Sequence, residues 1–266
     1  MSIDNVCLAD VYSFDELPEA QISAIYKVFG PVKTALPQLQ TMATLPDGRQ
    51  FNRTDWTRLP PDLPLDIWVD CYNQVYDAAK LAAVAEWKAA GHEYFWYWGI
   101  APHKAEWLNT FVERPAIQGR LLLWLASLHE IRGLLYYEVA LSLKFHSTPL
   151  TRLNGTMLTD FSPASWPDGQ PGAANGDGNF LYPCPSGPCA SIRLKNIRDG
   201  IEDWELLDRL PIAVRAPLIR QLVRNGTERT EDPLLLERVR RQAAQLVMQQ
   251  QMEEEEEEED EALSAA

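Results

Sequence analysis

The chain has 266 residues, 46% of them hydrophobic and 10% aromatic, which is enough apolar material to bury a sizeable core and too much for a disordered protein. Its formal charge of −14 is dominated by nine consecutive acidic residues, Glu253 to Glu261, and without them the value is −5. No basic patch with interleaved aromatics occurs, and no apolar run reaches the roughly 18–20 residues a bilayer span needs, so neither a nucleic-acid ligand nor a membrane-spanning chain is expected.

In chain order, the short apolar run VCLADVYSF (6–14) reads as a strand. It leads into PEAQISAIYKVFGPVKTALP, where Ile22, Ile25, Tyr26, Phe29, Val32 and Leu36 recur at helical spacing. LQTMATL (39–45) reads as a second strand ended by PDG, and LDIWVD (65–70) as a third after a proline-rich connection. YNQVYDAAKLAAVAEWKAAG predicts a helix stopped at Gly91, and HEYFWYWGI a buried aromatic strand. A helix over about 114–130 and a fifth strand, GLLYYEVAL (133–141), follow. Residues 142–190 form a long segment rich in Gly, Pro, Asn, Asp and Ser, of the kind that is functional when it sits inside a compact domain. A helix then starts near Ser191, and helical patterns resume over 212–223 and 232–250.

Strands alternating with helices imply an α/β protein with a parallel sheet. An open doubly wound sheet and part of a (β/α)8 barrel both fit that pattern. The barrel is favoured because no Gly-rich phosphate loop follows any strand, and because polar residues gather past the C-terminal strand ends, where barrels keep their active sites. Residues 251–266 read as a disordered acidic tail that repels itself and builds no core.

Asp15 and Glu16 stand side by side just past the first strand. By spacing alone, Asp15 is a cap for the helix beginning near Pro18. The functional alternative is a carboxylate pair: neighbours at a strand end diverge, and close carboxylates push their proton affinities apart, a division of labour that suits glycoside hydrolysis. Trp68, Trp96 and Trp98 offer aromatic faces as platforms for sugar, although core packing competes for each of them. His146 past the fifth strand and His103 past the fourth are candidate polar contacts. No nucleophile elbow and no converging His/Cys metal set is present. Cys7, Cys71, Cys184 and Cys189 lack metal-type spacing, while CPSGPC either closes a small disulfide loop or carries free thiols.

The ordered series YSFDELPE, DIWVD, EYFWYWGIAPH, ERPAIQGRLLLWLASLHEIRGLLYYEV and NGDGNFLYPCPSGPCASIRLKNIRDGIEDWELL, over about residues 6–210, resembles glycoside hydrolase family 123. The resemblance implies a (β/α)8 barrel carrying a β-N-acetylgalactosaminidase-like retaining hydrolase that uses substrate-assisted catalysis, with no metal and no cofactor. Carried over, Glu16 is the general acid/base, and Asp15 orients the 2-acetamido group of a terminal N-acetylhexosamine. Tyr137 stands where the family tends to have Trp, Ala140 where it tends to have Asn, and Asp177 lies in the matching NGDGN block. Substrate contacts are thus expected from Trp68, Trp96, Trp98, Tyr137, His146 and Asp177. Glu138 is a novelty without an assigned role.

In the family the Asp-Glu pair closes about the fourth barrel strand, so the resemblance makes this chain the C-terminal part of a barrel, five βα units long. The missing strands would lie upstream or come from another chain, the missing N-terminal barrel half being the expected partner. The expected layout is a partial barrel over 1–210, C-terminal helices over 211–250 and the acidic tail. Because the N-terminus shows neither the basic start nor the apolar stretch of a secretory signal, while the true start lies elsewhere on this expectation, no compartment is assigned. The competing expectation is an inactive remnant that binds carbohydrate or serves a structural role.

Overall fold

The structure is a computed structural model that describes residues 11–17, 19–45, 59–76, 78–102, 104–140, 176–184 and 187–265. The chain divides into two compact units, one comprising residues 1–102 and 131–137 and the other 103–130 and 138–266.

The first unit is built on five parallel strands: β1 (Val11–Phe14), β2 (Thr41–Thr44), β3 (Ile67–Cys71), β4 (Glu93–Tyr97) and β5 (Leu134–Leu135). They hydrogen-bond in sequence order, 1-2-3-4-5, with no reversal. That order decides between the two architectures left open by the sequence, because a doubly wound sheet reverses its order at a switch point and a barrel wall never does. The register adds a second argument. Phe14 pairs with Ala43, Ala43 with Trp68 and Trp68 with Tyr94, so these four residues share one face. Phe14 meets Phe29 of α1 (Ser23–Ala35) edge to face at 5.2 Å, and Trp68 meets Trp87 of α2 (Ala78–Ala89) at 6.3 Å. Both helices therefore lie on the same side, and the sheet curls as the wall of a partial barrel.

Local sequence explains most boundaries. Residues 72–76 form a 3-10 turn instead of the expected start of α2, and β4 ends at Tyr97 rather than at Ile100. β5 is two residues long instead of nine, because its neighbour β4 offers only Trp96 and Tyr97 to pair with. Below the sheet, Asp66 accepts from the Thr41 N–H at 2.7 Å and the Thr41 hydroxyl at 3.0 Å, and binds Lys33 of α1 at 2.9 Å, tying α1, β2 and β3 together at the end opposite the strand termini. On the helix face, Asp70 and Lys80 form a buried ion pair, with the Lys80 ammonium 4.0 Å from the centre of a Trp68 ring.

The second unit holds α3 (Ile117–Leu128), an antiparallel hairpin of β6 (Leu181–Cys184) and β7 (Gly187–Ala190), α4 (Ile192–Asp208), α5 (Ile212–Ile219) and α6 (Pro233–Ala265). Ser191 caps α4 as its position predicts, accepting the Leu194 N–H at 3.2 Å. A Cβ on Gly200 would lie 3.0 Å from the Leu123 side chain and 3.2 Å from the Arg120 backbone, so α3 and α4 approach too closely there for a larger residue. Buried Asp203 of α4 accepts from Arg120 of α3, from Arg240 of α6 and, at 2.8 Å, from the Trp124 indole N–H, which joins three helices through one carboxylate. Cys189 is disulfide-bonded, and Cys71 is a buried free thiol.

The acidic run, expected to be disordered, continues α6 to Ala265. Glutamate is a good helix former, and a helix already docked through Leu236, Val239, Ala243 and Val247 propagates without a new nucleation cost. None of the helices among the described residues is long and apolar enough to cross a membrane.

Candidate active site

Four parallel strands end side by side at Phe14, Thr44, Cys71 and Tyr97. The face that carries Val69, Cys71, Phe95 and Tyr97 is the one turned away from α1 and α2. Past the end of β1 the chain does two unusual things. The β1–β2 register slips between Tyr12 and Phe14, a bulge of the sort that re-aims side chains beside active sites. Glu16 then adopts a left-handed backbone, φ 51°, which is uncommon for a residue with a side chain and concentrates where function demands it. The Leu17 N–H donates to the Thr44 carbonyl at 3.3 Å and pins the segment to the end of β2.

The two carboxylates that follow have different surroundings. Asp15 is exposed and accepts a hydrogen bond from the Tyr12 hydroxyl at 2.8 Å, while Tyr12 and Thr44 are in hydroxyl contact at 2.9 Å. Asp15 is therefore not the cap of α1, whose N-cap position is Ile22 and has no side-chain capping hydrogen bond. Glu16 is half-buried and accepts from the Tyr97 hydroxyl at 3.3 Å. Burial, then the neighbouring Cys71 and Glu16, push the Tyr97 phenol far above its usual range, so it stays a proton donor. Burial likewise raises Tyr12, with Asp15 adding to the effect and Thr44 opposing it. An adjacent pair with one exposed and one half-buried carboxylate, each addressed by its own phenol, can divide acid–base work from electrostatic work.

The other expected contacts scatter. Trp68 and Trp96 are fully buried on the helix face of the sheet: Trp68 donates to the Leu45 carbonyl at 3.1 Å and packs on Trp87 and Tyr94, and Trp96 lies 6.0 Å from Tyr72. Alternation along a strand sends both indoles into the core, which corrects the expectation that they contact sugar. Trp98 is also buried, but it begins an aromatic series, 5.7 Å from Tyr136, which is 5.6 Å from Tyr137. Tyr137 ends that series 49% exposed, leaving it the open aromatic face just past β5.

Asp177 belongs to the second unit and is buried in the turn at Gly176–Phe180. Arg193 of α4 organises that turn, donating to the carbonyls of Thr110 (2.9 Å), Gly176 (2.6 Å) and Asn179 and to the Tyr182 hydroxyl (2.7 Å). Gly176 is required there, because its φ is +81° and a Cβ would sit 2.5 Å from the Arg193 guanidinium. Glu138 accepts the N–H groups of Val139 and Ala140 at 3.1 and 3.2 Å, a local turn-forming role. His103 and His146 lie outside the described residues. Sequence reasoning left Tyr12 and Thr44 unassigned and read Tyr97 only as one of the aromatics ending the fourth strand, not as a partner of Glu16; Thr44 and Tyr97 both end strands on the face away from the helices, and that rule would have found them.

The family model of the glycoside hydrolase 123 catalytic domain matches residues 4–210. The chain belongs to glycoside hydrolase family 123. No curated protein matches it. Membership in family 123 makes the substrate a carbohydrate and the reaction class glycoside hydrolysis. The matched region contains all five strands, the Asp15-Glu16 pair, the Gly176–Phe180 turn and α4.

Proposed function

We propose that this chain hydrolyses terminal β-linked N-acetylhexosamine, N-acetylgalactosamine above all, with retention of anomeric configuration by substrate-assisted catalysis. The observation that carries the reading is the adjacent Asp15-Glu16 pair at the C-terminal end of a barrel-type strand in a family 123 chain, with one carboxylate exposed and the other half-buried. Glu16, as the carboxylic acid, protonates the leaving oxygen. The acetamido carbonyl oxygen attacks the anomeric carbon as the glycosidic bond breaks, and an oxazolinium forms. Asp15 accepts the acetamido N–H and offsets the positive charge. Glu16, now a carboxylate, takes a proton from water as that water attacks the anomeric carbon and reopens the ring. The substrate supplies the nucleophile at high effective concentration, so no second enzymic carboxylate is needed on the opposite face of the sugar. Tyr137 provides an aromatic face for sugar, and Asp177 and His146 remain proposed contacts.

Release of 4-nitrophenol from 4-nitrophenyl N-acetyl-β-D-galactosaminide tests this directly. The first-formed sugar is expected to be the β anomer by NMR, and Glu16→Gln is expected to lower kcat by about 10²–10⁴. An unchanged rate in Glu16→Gln would sink the mechanism. Glycan binding without turnover in the wild-type chain would select the alternative of a carbohydrate-binding remnant.

A further inference from the structure

A phenol has one proton to give. Tyr12 gives its own to Oδ1 of Asp15 at 2.8 Å, so the 2.9 Å contact between the Tyr12 and Thr44 hydroxyls runs the other way, with Thr44 donating to the phenol oxygen. The result is a directed chain, Thr44 to Tyr12 to Asp15, across two adjacent strands, in which each link polarises the next. Its inner end, Thr44, is buried, and its outer end, Asp15, is exposed. Oδ1 of Asp15 is tethered, while Oδ2 makes no hydrogen bond with any described residue.

The backbone is shaped to permit this chain. Residues three apart in a regular strand point to opposite faces, so Tyr12 and Asp15 would not meet. The register slip between Tyr12 and Phe14 shifts the alternation by one residue and brings the two side chains together. A bulge that costs ladder pairing at the edge of the sheet thus serves one contact, the phenol on the carboxylate.

We propose that Tyr12, held in turn by Thr44, is the positioning residue for Asp15, locking its carboxylate so that Oδ2 is presented to the acetamido N–H of the substrate. The inference rests on the glycosidase reading above. Neither hydroxyl touches the reacting atoms; both act through Asp15. The loss should fall on the step in which charge develops, and therefore on kcat rather than KM.

Kinetics on 4-nitrophenyl N-acetyl-β-D-galactosaminide test it. Tyr12→Phe is expected to lower kcat about 10- to 100-fold, the scale of a lost hydrogen bond to a charged group, with KM within about threefold of wild type. Thr44→Val should cost roughly 3- to 10-fold, and Thr44→Ser should recover most of that loss because it keeps the donor. In an Asp15→Ala background, followed in single-turnover assays at high enzyme concentration, Tyr12→Phe should change the rate by less than about twofold, since the group it positions is gone. Melting temperatures of all variants, within about 2 °C of wild type, would separate positioning from a folding defect. An unchanged kcat in Tyr12→Phe, or a full Tyr12 effect persisting without Asp15, overturns the proposal while leaving the glycosidase intact. Absence of hydrolysis by the wild-type chain overturns the glycosidase reading itself, and this inference with it.

Discussion

At the scale of residues, the site depends on groups kept in their neutral form by burial. The Tyr97 phenol is raised by burial first, then by Cys71 and Glu16, and the Cys71 thiol is raised by burial and by Asp70. A group whose folded value is raised lends stability that is complete below its unfolded value and lost as pH climbs towards the folded one. The unfolded values are near 8.5–9 for the thiol and about 10 for the phenol, so melting temperature should begin to fall above about pH 9 and fall faster above about pH 10. Tyr97→Phe is expected to flatten the second part of that profile; differential scanning fluorimetry from pH 8 to 11 reads it, and an unaltered slope would remove Tyr97 as the cause. Asp15 and Glu16 were visible as a pair in the sequence. That Glu16 takes a left-handed turn towards Tyr97 was not, because the contact joins residues 81 positions apart.

At the scale of elements, close approach decides which residues are tolerated. Gly133, just before β5, faces the Phe95 ring of β4: a Cβ there would fall 2.2 Å from a ring carbon, while the Gly133 carbonyl accepts the Trp96 N–H at 3.1 Å. Gly133→Ala should therefore destabilise by roughly 1–3 kcal/mol through overpacking, and Phe95→Leu should recover part of the loss in the same chain. Urea unfolding of the single and double variants checks both, and a neutral Gly133→Ala would show that β4 and β5 yield freely. Strands β1 to β4 and helices α1 to α4 were legible from periodicity, Pro and Gly punctuation and the Ser191 cap. The two-residue β5 and the hairpin β6–β7 were not. A strand's length depends on what lies beside it, and GLLYYEVAL has strand composition well beyond the two residues that pair with β4.

At the scale of the whole molecule, the long helix α6 carries the acidic run Glu253–Glu261, where residues 253–260 are exposed to water. Truncation after Gln250 is expected to move the melting temperature by no more than about 1 °C, because residues 251–260 are exposed. Salt should increase the 222 nm dichroism of the full chain relative to the truncated one by screening glutamate repulsion; a large fall in melting temperature on truncation would mean that the run packs against the protein. Composition and hydrophobic period determined the α/β class, the ordered series of motifs from YSFDELPE to the NGDGN block carried the resemblance to the family, and the Asp-Glu doublet marked the two carboxylates; all of these are local properties of the chain. Only tertiary structure decided that the sheet runs 1-2-3-4-5 with both helices on one face, that Trp68 and Trp96 belong to the core, and that Tyr12, Thr44 and Tyr97 converge on the pair. The reason is physical: strand order, the face a side chain takes and the partner of a hydroxyl are set by pairing between distant segments and by a one-residue register slip. Neither leaves a periodic trace in the sequence.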